Sequence, residues 1–229
     1  MSNQNAYRHE WKHEINRGDL WILRQRLSAV TKRDPHAVDG VYHVRSLYFD
    51  TASDKALREK MDGVNRREKF RIRCYNKDVS LLRLEKKSKI NGLCRKQSAI
   101  LQQEQVRQLL AGDMQWMRDS QDPLVLELYS KMYSQGLRPK TIVDYTREPF
   151  VFALGNVRVT LDYDICTGLS QVDFLNPDCV MVRVEREPIL LEVKWDAYLP
   201  EIIRDVVQLP GRRAGAFSKY AACRGYDYL

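Results

Sequence analysis

Charged residues recur at every second position in several segments of this sequence: Arg8, Glu10, Lys12 and Glu14; Lys69, Arg71 and Arg73; Arg83, Glu85, Lys87 and Lys89; Glu192 and Lys194. Alternate side chains of a β-strand share a face, so each series projects as one row. Rows of lysine and arginine interrupted by carboxylates suit the gripping of a polyanion, with a divalent cation bridging it to the acids. Arginine offers a forked, bidentate grip on phosphate, whereas lysine serves as a mobile point charge. For any one row, the wet face of an ordinary antiparallel sheet is explanation enough. The opposing rows argue otherwise: Phe70, Ile72 and Cys74 oppose the second series, and Val157, Val159 and Leu161 oppose Arg158, Thr160, Asp162 and Asp164. If helices cover those apolar faces, the charges point into a lumen.

The elements needed for such a lumen can be read along the chain. Strand patterns run over Ala6 to Ile15, Val41 to Phe49, Glu68 to Tyr75, Val79 to Lys89 and Leu93 to Ile100, the last three forming a meander with a turn at Asn91-Gly92. After a helical insert, strands return at Thr141 to Arg147, Pro149 to Leu154, Val157 to Ile165, Val180 to Glu187 and Ile189 to Trp195. Helical spacing marks Leu20 to Lys32, capped by Asp19 and ended by Asp34-Pro35; a short helix at Asp54 to Lys60; and Gln103 to Ala111. Pro123 opens another helix to Tyr133, and two more follow Pro200 and span Ala216 to Cys223. The expected fold class is α+β: an antiparallel β-barrel tunnel with helices packed outside, one domain over residues 1–229.

Composition sets the outer bounds. With 229 residues, 44% hydrophobic and 30% charged, the chain can bury one sizeable core. A formal net charge of +8 favours an acidic partner without choosing among nucleic acid, an anionic surface or polyphosphate. Basic residues on alternating strand positions, interleaved with acids, differ from the aromatic-studded stripe of a nucleic-acid binder, so no specific nucleic acid is expected. Five scattered cysteines without a C-x-x-C pair fit a reducing, cytoplasmic setting. The polar start, Met1 to Asn5, lacks the apolar stretch of a signal peptide, and no segment has the apolar length to cross a bilayer.

The residues also resemble a family. Arg8-x-Glu10-x-Lys12, Ser46-x-Tyr48-Phe49-Asp50, Lys69-Phe70-Arg71-Ile72-Arg73, Leu84-Glu85-Lys86-Lys87, Tyr145-x-Arg147, Arg158-Val159-Thr160-x-Asp162, Leu191-Glu192-Val193-Lys194 and Ser218-Lys219-Tyr220 stand in the order and spacing of one catalytic domain. It is that of the vacuolar transporter chaperone polyphosphate polymerases, in their stand-alone bacterial form. That family belongs to the triphosphate tunnel metalloenzymes, and the resemblance runs from about Tyr7 to Tyr220.

The resemblance implies roles at matching positions. Lys12, Arg71, Arg73, Lys87, Arg147 and Lys219 would grip the reacting phosphates, and Lys96 matches a further basic position. Arg8, Lys69, Lys89, Arg158 and Lys194 extend the phosphate-binding set along the same rows. Glu192 matches a metal-binding carboxylate, with Glu10 beside it, and the implied cofactor is Mn²⁺ or Mg²⁺. The implied partners are ATP or another triphosphate, inorganic polyphosphate, and a membrane protein for any export. Hydrolytic relatives begin with Glu-x-Glu-x-Lys, whereas Arg8 stands first here, which favours phosphoryl transfer over water activation. A triphosphatase and a non-catalytic polyphosphate- or nucleotide-binding module share nearly every grip residue and stay open.

Other residues carry less. Asp162 is either a second metal ligand or the partner of Arg158. His9 and His13 fall on the aromatic face of the first strand, where packing is expected, and Trp11, Trp21, Trp116 and Trp195 are expected to pack between barrel and helices.

Overall fold

A computed structural model describes residues 7–225. The chain runs β1 (His9–Ile15), α1 (Arg17–Val30), β2 (Lys32–Arg33), β3 (Tyr42–Asp50), α2 (Lys55–Met61), β4 (Arg67–Tyr75), β5 (Asp78–Ile90) and β6 (Leu93–Leu101). It continues through α3 (Gln103–Leu110), α4 (Gln115–Arg118), α5 (Pro123–Gln135), β7 (Arg138–Phe152), β8 (Val157–Thr167), β9 (Val182–Arg183), β10 (Ile189–Trp195), α6 (Glu201–Val207) and α7 (Lys219–Arg224). All pairings are antiparallel, in the order β1-β10-β8-β7-β3-β4-β5-β6, with β2 on β7 and β9 on β8.

The sheet curls until its two edges touch. Arg8 and Cys94 exchange backbone hydrogen bonds of 3.0 and 3.3 Å, the one bridge between the β1 and β6 edges among the described residues. Beyond it, the edge of β1 is met by the late loop, where the Gly215 amide donates to the Lys12 carbonyl at 2.8 Å.

Burial follows the alternation read in the sequence. On the convex face, Phe70, Ile72, Leu82, Leu84 and Ala99 pack under α3, α4 and α5 through Val106, Leu109, Met117, Leu124 and Leu128. Phe150, Val159, Leu161, Leu191 and Val193 pack under α1 and α6 through Leu20, Leu23, Leu27 and Ile203. Each buried aliphatic side chain contributes about 1.5–3 kcal/mol by leaving water, so these two layers fix which face turns inward. The concave side is not uniformly polar, however. Tyr42, Val44, Tyr48, Val143, Tyr145 and Leu190 form a third cluster, and Tyr220 and Cys223 of α7 enter it from the concave side. Among the described residues, α1, α3, α4, α5 and α6 therefore coat the outside, while α7, with Leu57 of α2, packs in the third cluster.

Several boundaries differ from the sequence expectation. The first strand begins at His9, and Ala6 lies outside the described residues. Helix α1 is capped by Asn16, with Asp19 three residues on closing a reciprocal capping box. The two strands expected around Pro149 are one, β7. Its missing donor falls where the neighbour changes from β3, starting at Tyr42 opposite Arg147, to β2, whose Arg33 lies opposite Phe150. The strand expected from Val180 to Glu187 shrinks to β9, because Arg186 and Glu187 take left-handed φ of 62° and 37°. The last helix starts at Lys219, capped by Ser218, rather than at Ala216. The short α4 was not expected. Among the described residues no helix is long and apolar enough to cross a membrane.

Candidate functional site

Four carboxylates organise the cations of the concave face. Glu192 of β10 lies 2.9 Å from Lys12, 3.0 Å from Lys219, 3.1 Å from Lys194 and 3.6 Å from Arg147. Asp162 of β8 takes a bidentate pair from Arg147, both bonds 2.7 Å, and the Lys219 ammonium at 2.6 Å. Glu10 of β1 meets Lys87 at 3.0 Å, Lys194 at 3.4 Å and Lys12 at 3.9 Å. On the far wall, Glu85 of β5 holds Arg71 at 2.6 Å, Lys96 at 3.1 Å and Arg73 at 3.7 Å.

These contacts follow from register. Lys12 stands opposite Glu192, Glu10 opposite Lys194, Arg147 opposite Asp162 and Arg71 opposite Glu85 on neighbouring strands. Directly opposite residues on one face bring their Cβ atoms within about 5 Å, so the ion pairs form at little cost in side-chain reach. Lys219 arrives differently, carried by α7, which is anchored by Tyr220 donating to Asp50 at 2.6 Å and Arg224 pairing with Asp54 at 2.8 Å.

The acids of this basic face are buried while several of its cations reach solvent. Asp162 is 0% exposed and Glu85 1%, and an acid there survives ionised only because cations surround it. Burial pushes the Glu10 carboxyl up, but Lys87, Lys12 and Lys194 outweigh it and hold it well below the usual carboxylate range. Burial opposes ionisation of Glu192 as well, and Lys12, Lys219, Lys194 and Arg147 reverse it. Lys69 has no carboxylate within ion-pair distance among the described residues; its ammonium meets the Ser218 hydroxyl at 3.1 Å and the faces of Tyr48 and Tyr220 at 6.0 and 5.9 Å. Burial lowers its pKa to about 8; the Tyr48 hydroxyl works against that, while Lys87, Lys12 and Arg71 add to it. Tyr48 accepts from Arg71 at 2.8 Å; burial would raise its pKa, yet Arg71, Lys69 and Arg73 bring it down to about 7.

The structure gathers most of the residues singled out from sequence: Lys12, Lys69, Arg71, Arg73, Lys87, Lys96, Arg147, Lys194 and Lys219, with Glu10 and Glu192. Three stand apart. Arg8 lies at the rim, paired with Asp196 at 2.7 Å and donating to the Asn156 carbonyl, because its strand partner beyond Lys194 is an acid. Arg158 directs one guanidinium nitrogen to Asp34 at 2.9 Å, not to Asp162. Lys89 continues the β5 row past Lys87 to a register opposite Arg67 and Cys94, near the hairpin tip.

Glu85, which carries no role in the sequence reading, holds Arg71, Lys96 and Arg73, and Asp162 clamps Arg147 and Lys219 rather than pairing with Arg158. Ser46 and Tyr145 take hydrogen bonds from Arg73 at 3.0 and 3.1 Å. On the convex side, His9 stacks on Trp195 with ring centroids 5.3 Å apart, in keeping with packing. Trp21 departs from expectation: it is 63% exposed under the Arg24 guanidinium instead of filling a layer.

For a divalent cation, the donor set is lean. No group of three or more His, Cys, Asp or Glu converges among the described residues, and Glu10 and Glu192 share Lys12 and Lys194. Such a pair fits Mg²⁺ or Mn²⁺ held through one or two carboxylates plus the phosphates of a substrate, not an all-protein cage.

Comparison with known proteins places the chain. Among solved structures, a proposed adenylate cyclase from Bacillus halodurans is 12% identical with a TM-score of 0.47, covering 99% of this chain and 89% of that one. A protein of Pyrococcus horikoshii is 14% identical with a TM-score of 0.44, covering 88% and 84%. A proposed adenylate cyclase from Vibrio parahaemolyticus is 9% identical with a TM-score of 0.45, covering 88% and 82%. No curated protein matches. The VTC domain profile, by contrast, matches residues 7–227, and the chain belongs to the VTC domain family.

Proposed function

We propose that this domain is a polyphosphate polymerase, transferring the terminal phosphoryl group of ATP to inorganic polyphosphate held in the basic lumen. The observation that carries the reading is the imbalance of the concave face, where nine cations meet four carboxylates that each already hold two or more of them. That surplus of positive charge is matched by a chain of phosphates.

In the transfer, the bond from the γ-phosphorus to the β–γ bridging oxygen breaks, and its electron pair stays on ADP. A terminal oxygen of the polymer supplies the new bond to phosphorus, and the acceptor needs no deprotonation because it is already an anion. Arg71, Arg73 and Arg147 would hold the equatorial oxygens and align donor with acceptor, while Lys12, Lys87 and Lys219 neutralise charge that spreads as the phosphoryl group moves. Glu192 and Glu10 would hold Mn²⁺ or Mg²⁺, which when bound supplies Lewis-acid neutralisation of the phosphate oxygens. Arg8 in a rim pair, where hydrolytic relatives have a carboxylate, supports transfer over hydrolysis.

Incubation of the purified protein with ATP and Mn²⁺, followed by gel separation of products, tests this. A ladder of lengthening polyphosphate with matching ADP is expected, lost in Arg147→Ala. Phosphate release without polymer would replace the reading with a triphosphatase, and binding without turnover would leave a binding module.

A further inference from the structure

The barrel is closed unevenly. Neighbouring strands along the sheet share ladders over several residues, whereas β1 and β6 meet, among the described residues, only where Arg8 and Cys94 exchange their two backbone hydrogen bonds. Register explains this. The pairing would continue toward Glu10 and Gly92, but Asn91 and Gly92 are the tip of the β5–β6 hairpin and take left-handed φ of 49° and 81°. The hairpin ends there while β1 runs on to Ile15. On its other side the tip is fastened to the turn before β4, where Asn65 donates to Asn91 at 2.6 Å and accepts from its amide at 2.9 Å. Separation therefore falls between the hairpin and β1.

Past the tip, the outer edge of β1 is met by the segment between α6 and α7, residues 208–218, which forms neither helix nor strand. It is tied down by the Gly215 amide on the Lys12 carbonyl, by Arg212 on Asp19 at 2.6 Å and by Arg26 on the Gln208 carbonyl at 3.2 Å. The segment is loosely laid: residues 213–216 are exposed, and a Cβ added at Gly211 or Gly215 meets no atom within 4 Å. Between hairpin and strap the wall consists of side chains. Lys87 reaches Glu10 at 3.0 Å, and the Cys94 thiol donates to the same carboxylate at 3.6 Å. This side is also the wetter one, with the Lys96 and Lys87 side chains 49% and 30% exposed against 8% for Lys219 and 5% for Arg73. A single bridged pair beside a partly exposed ion pair is the part of a closed sheet that opens most readily. A long phosphate chain gives such an opening a use, because sideways entry needs no free end.

We propose that the barrel opens between β1 and the β5–β6 hairpin and loads polyphosphate sideways, so that it takes the interior of long chains and chains whose ends are attached to another molecule. This rests on the polyphosphate reading above and specifies the form of substrate admitted. Arg8→Cys tests it by placing a thiol opposite Cys94. Residues that exchange both backbone hydrogen bonds stand about 5.5 Å apart at Cα, within disulfide reach. Oxidised glutathione takes one hydrogen from each thiol and leaves as two reduced glutathiones, locking the joint, and dithiothreitol reverses the step. Loss of the Arg8 pair with Asp196 is common to both forms of the variant, which are compared with each other. Association is measured with inorganic triphosphate, with long linear polyphosphate, and with the same chain biotinylated at both ends and capped by streptavidin, counting only binding that triphosphate displaces. Entry through an opening scales with the open fraction, so the capped chain is expected to associate at least about tenfold more slowly with the oxidised form, while triphosphate changes less than about twofold. Equal association of the capped chain with both forms overturns sideways loading. Wild type that binds the uncapped chain and not the capped one overturns it as well. Should the variant fold poorly, hydrogen exchange in wild type decides: exchange at the Arg8 and Cys94 amides is expected to slow when the capped chain is added, and no change overturns the proposal. Failure of wild type to bind triphosphate and the uncapped chain alike overturns the polyphosphate reading, and sideways loading with it.

Discussion

Lys69 gives the sharpest quantitative handle on the lumen. It lies on the concave face without an acidic partner among the described residues, beside the Ser218 hydroxyl and two tyrosine rings, and its pKa is down to about 8. At pH 8 roughly half of the molecules therefore carry a neutral amine there. A bound triphosphate favours the ammonium, so by linkage its binding draws about half a proton from solution at this pH. Tyr48, with its pKa near 7, is mostly phenolate at pH 8 and takes up a further share. The groups facing the lysine are Tyr48, Tyr220, Ser218, Lys87, Lys12 and Arg71. Titration calorimetry in buffers of different ionisation enthalpy counts the protons, and comparison of wild type with Lys69→Met cancels those of the ligand. In the variant Tyr48 loses a cation that depresses it, which lowers uptake further, so a difference of about half a proton at pH 8 is a floor. At pH 6 both groups are protonated before binding and the difference vanishes. Equal uptake at pH 8, or a difference that persists at pH 6, would refute the reasoning.

Two further outcomes follow from the geometry. Glu192→Gln leaves Lys12, Lys194, Lys219 and Arg147 short of one buried acid and is expected to cost about 3–5 kcal/mol in urea unfolding. Added triphosphate should recover more stability in the variant than in wild type, and equal recovery would contradict the charge argument. Gly155 has a φ of 71°, and a Cβ there would meet the Tyr198 carbonyl at 2.5 Å, so Gly155→Ala should lose more than the ~1 kcal/mol of φ strain alone. Gly63→Ala, with a similar φ and open space, is the control, and equal losses in thermal melts would count against the clash.

Much of this architecture could be read from the sequence because strand alternation is strictly local. Lys69, Arg71 and Arg73 facing away from Phe70 and Ile72 needed only the period of two and a coat of helices. What stayed hidden depends on register between segments far apart. Nothing local joins Asp162 to Lys219, fifty-seven residues later, or Arg158 to Asp34 instead of the nearer Asp162. Pro149 looked like a strand break because the switch of partners from β3 to β2 is a property of the assembled sheet. Likewise nothing local groups Tyr42, Tyr48, Tyr145 and Tyr220, and only the inward path of α7 brings them into one cluster.

That path also sets an order of events at the ribosome. Every strand bearing the acids is synthesised before α7, so Asp162 and Glu192 are in place, with Arg147 and Lys12, ahead of the ammonium that both share. Until Lys219 emerges, the sheet can pair but Asp162 and Glu192 each lack one of their cations. Completion of the site thus coincides with docking of the last helix, and a nascent chain stopped short of it has a fold to begin but no finished lumen.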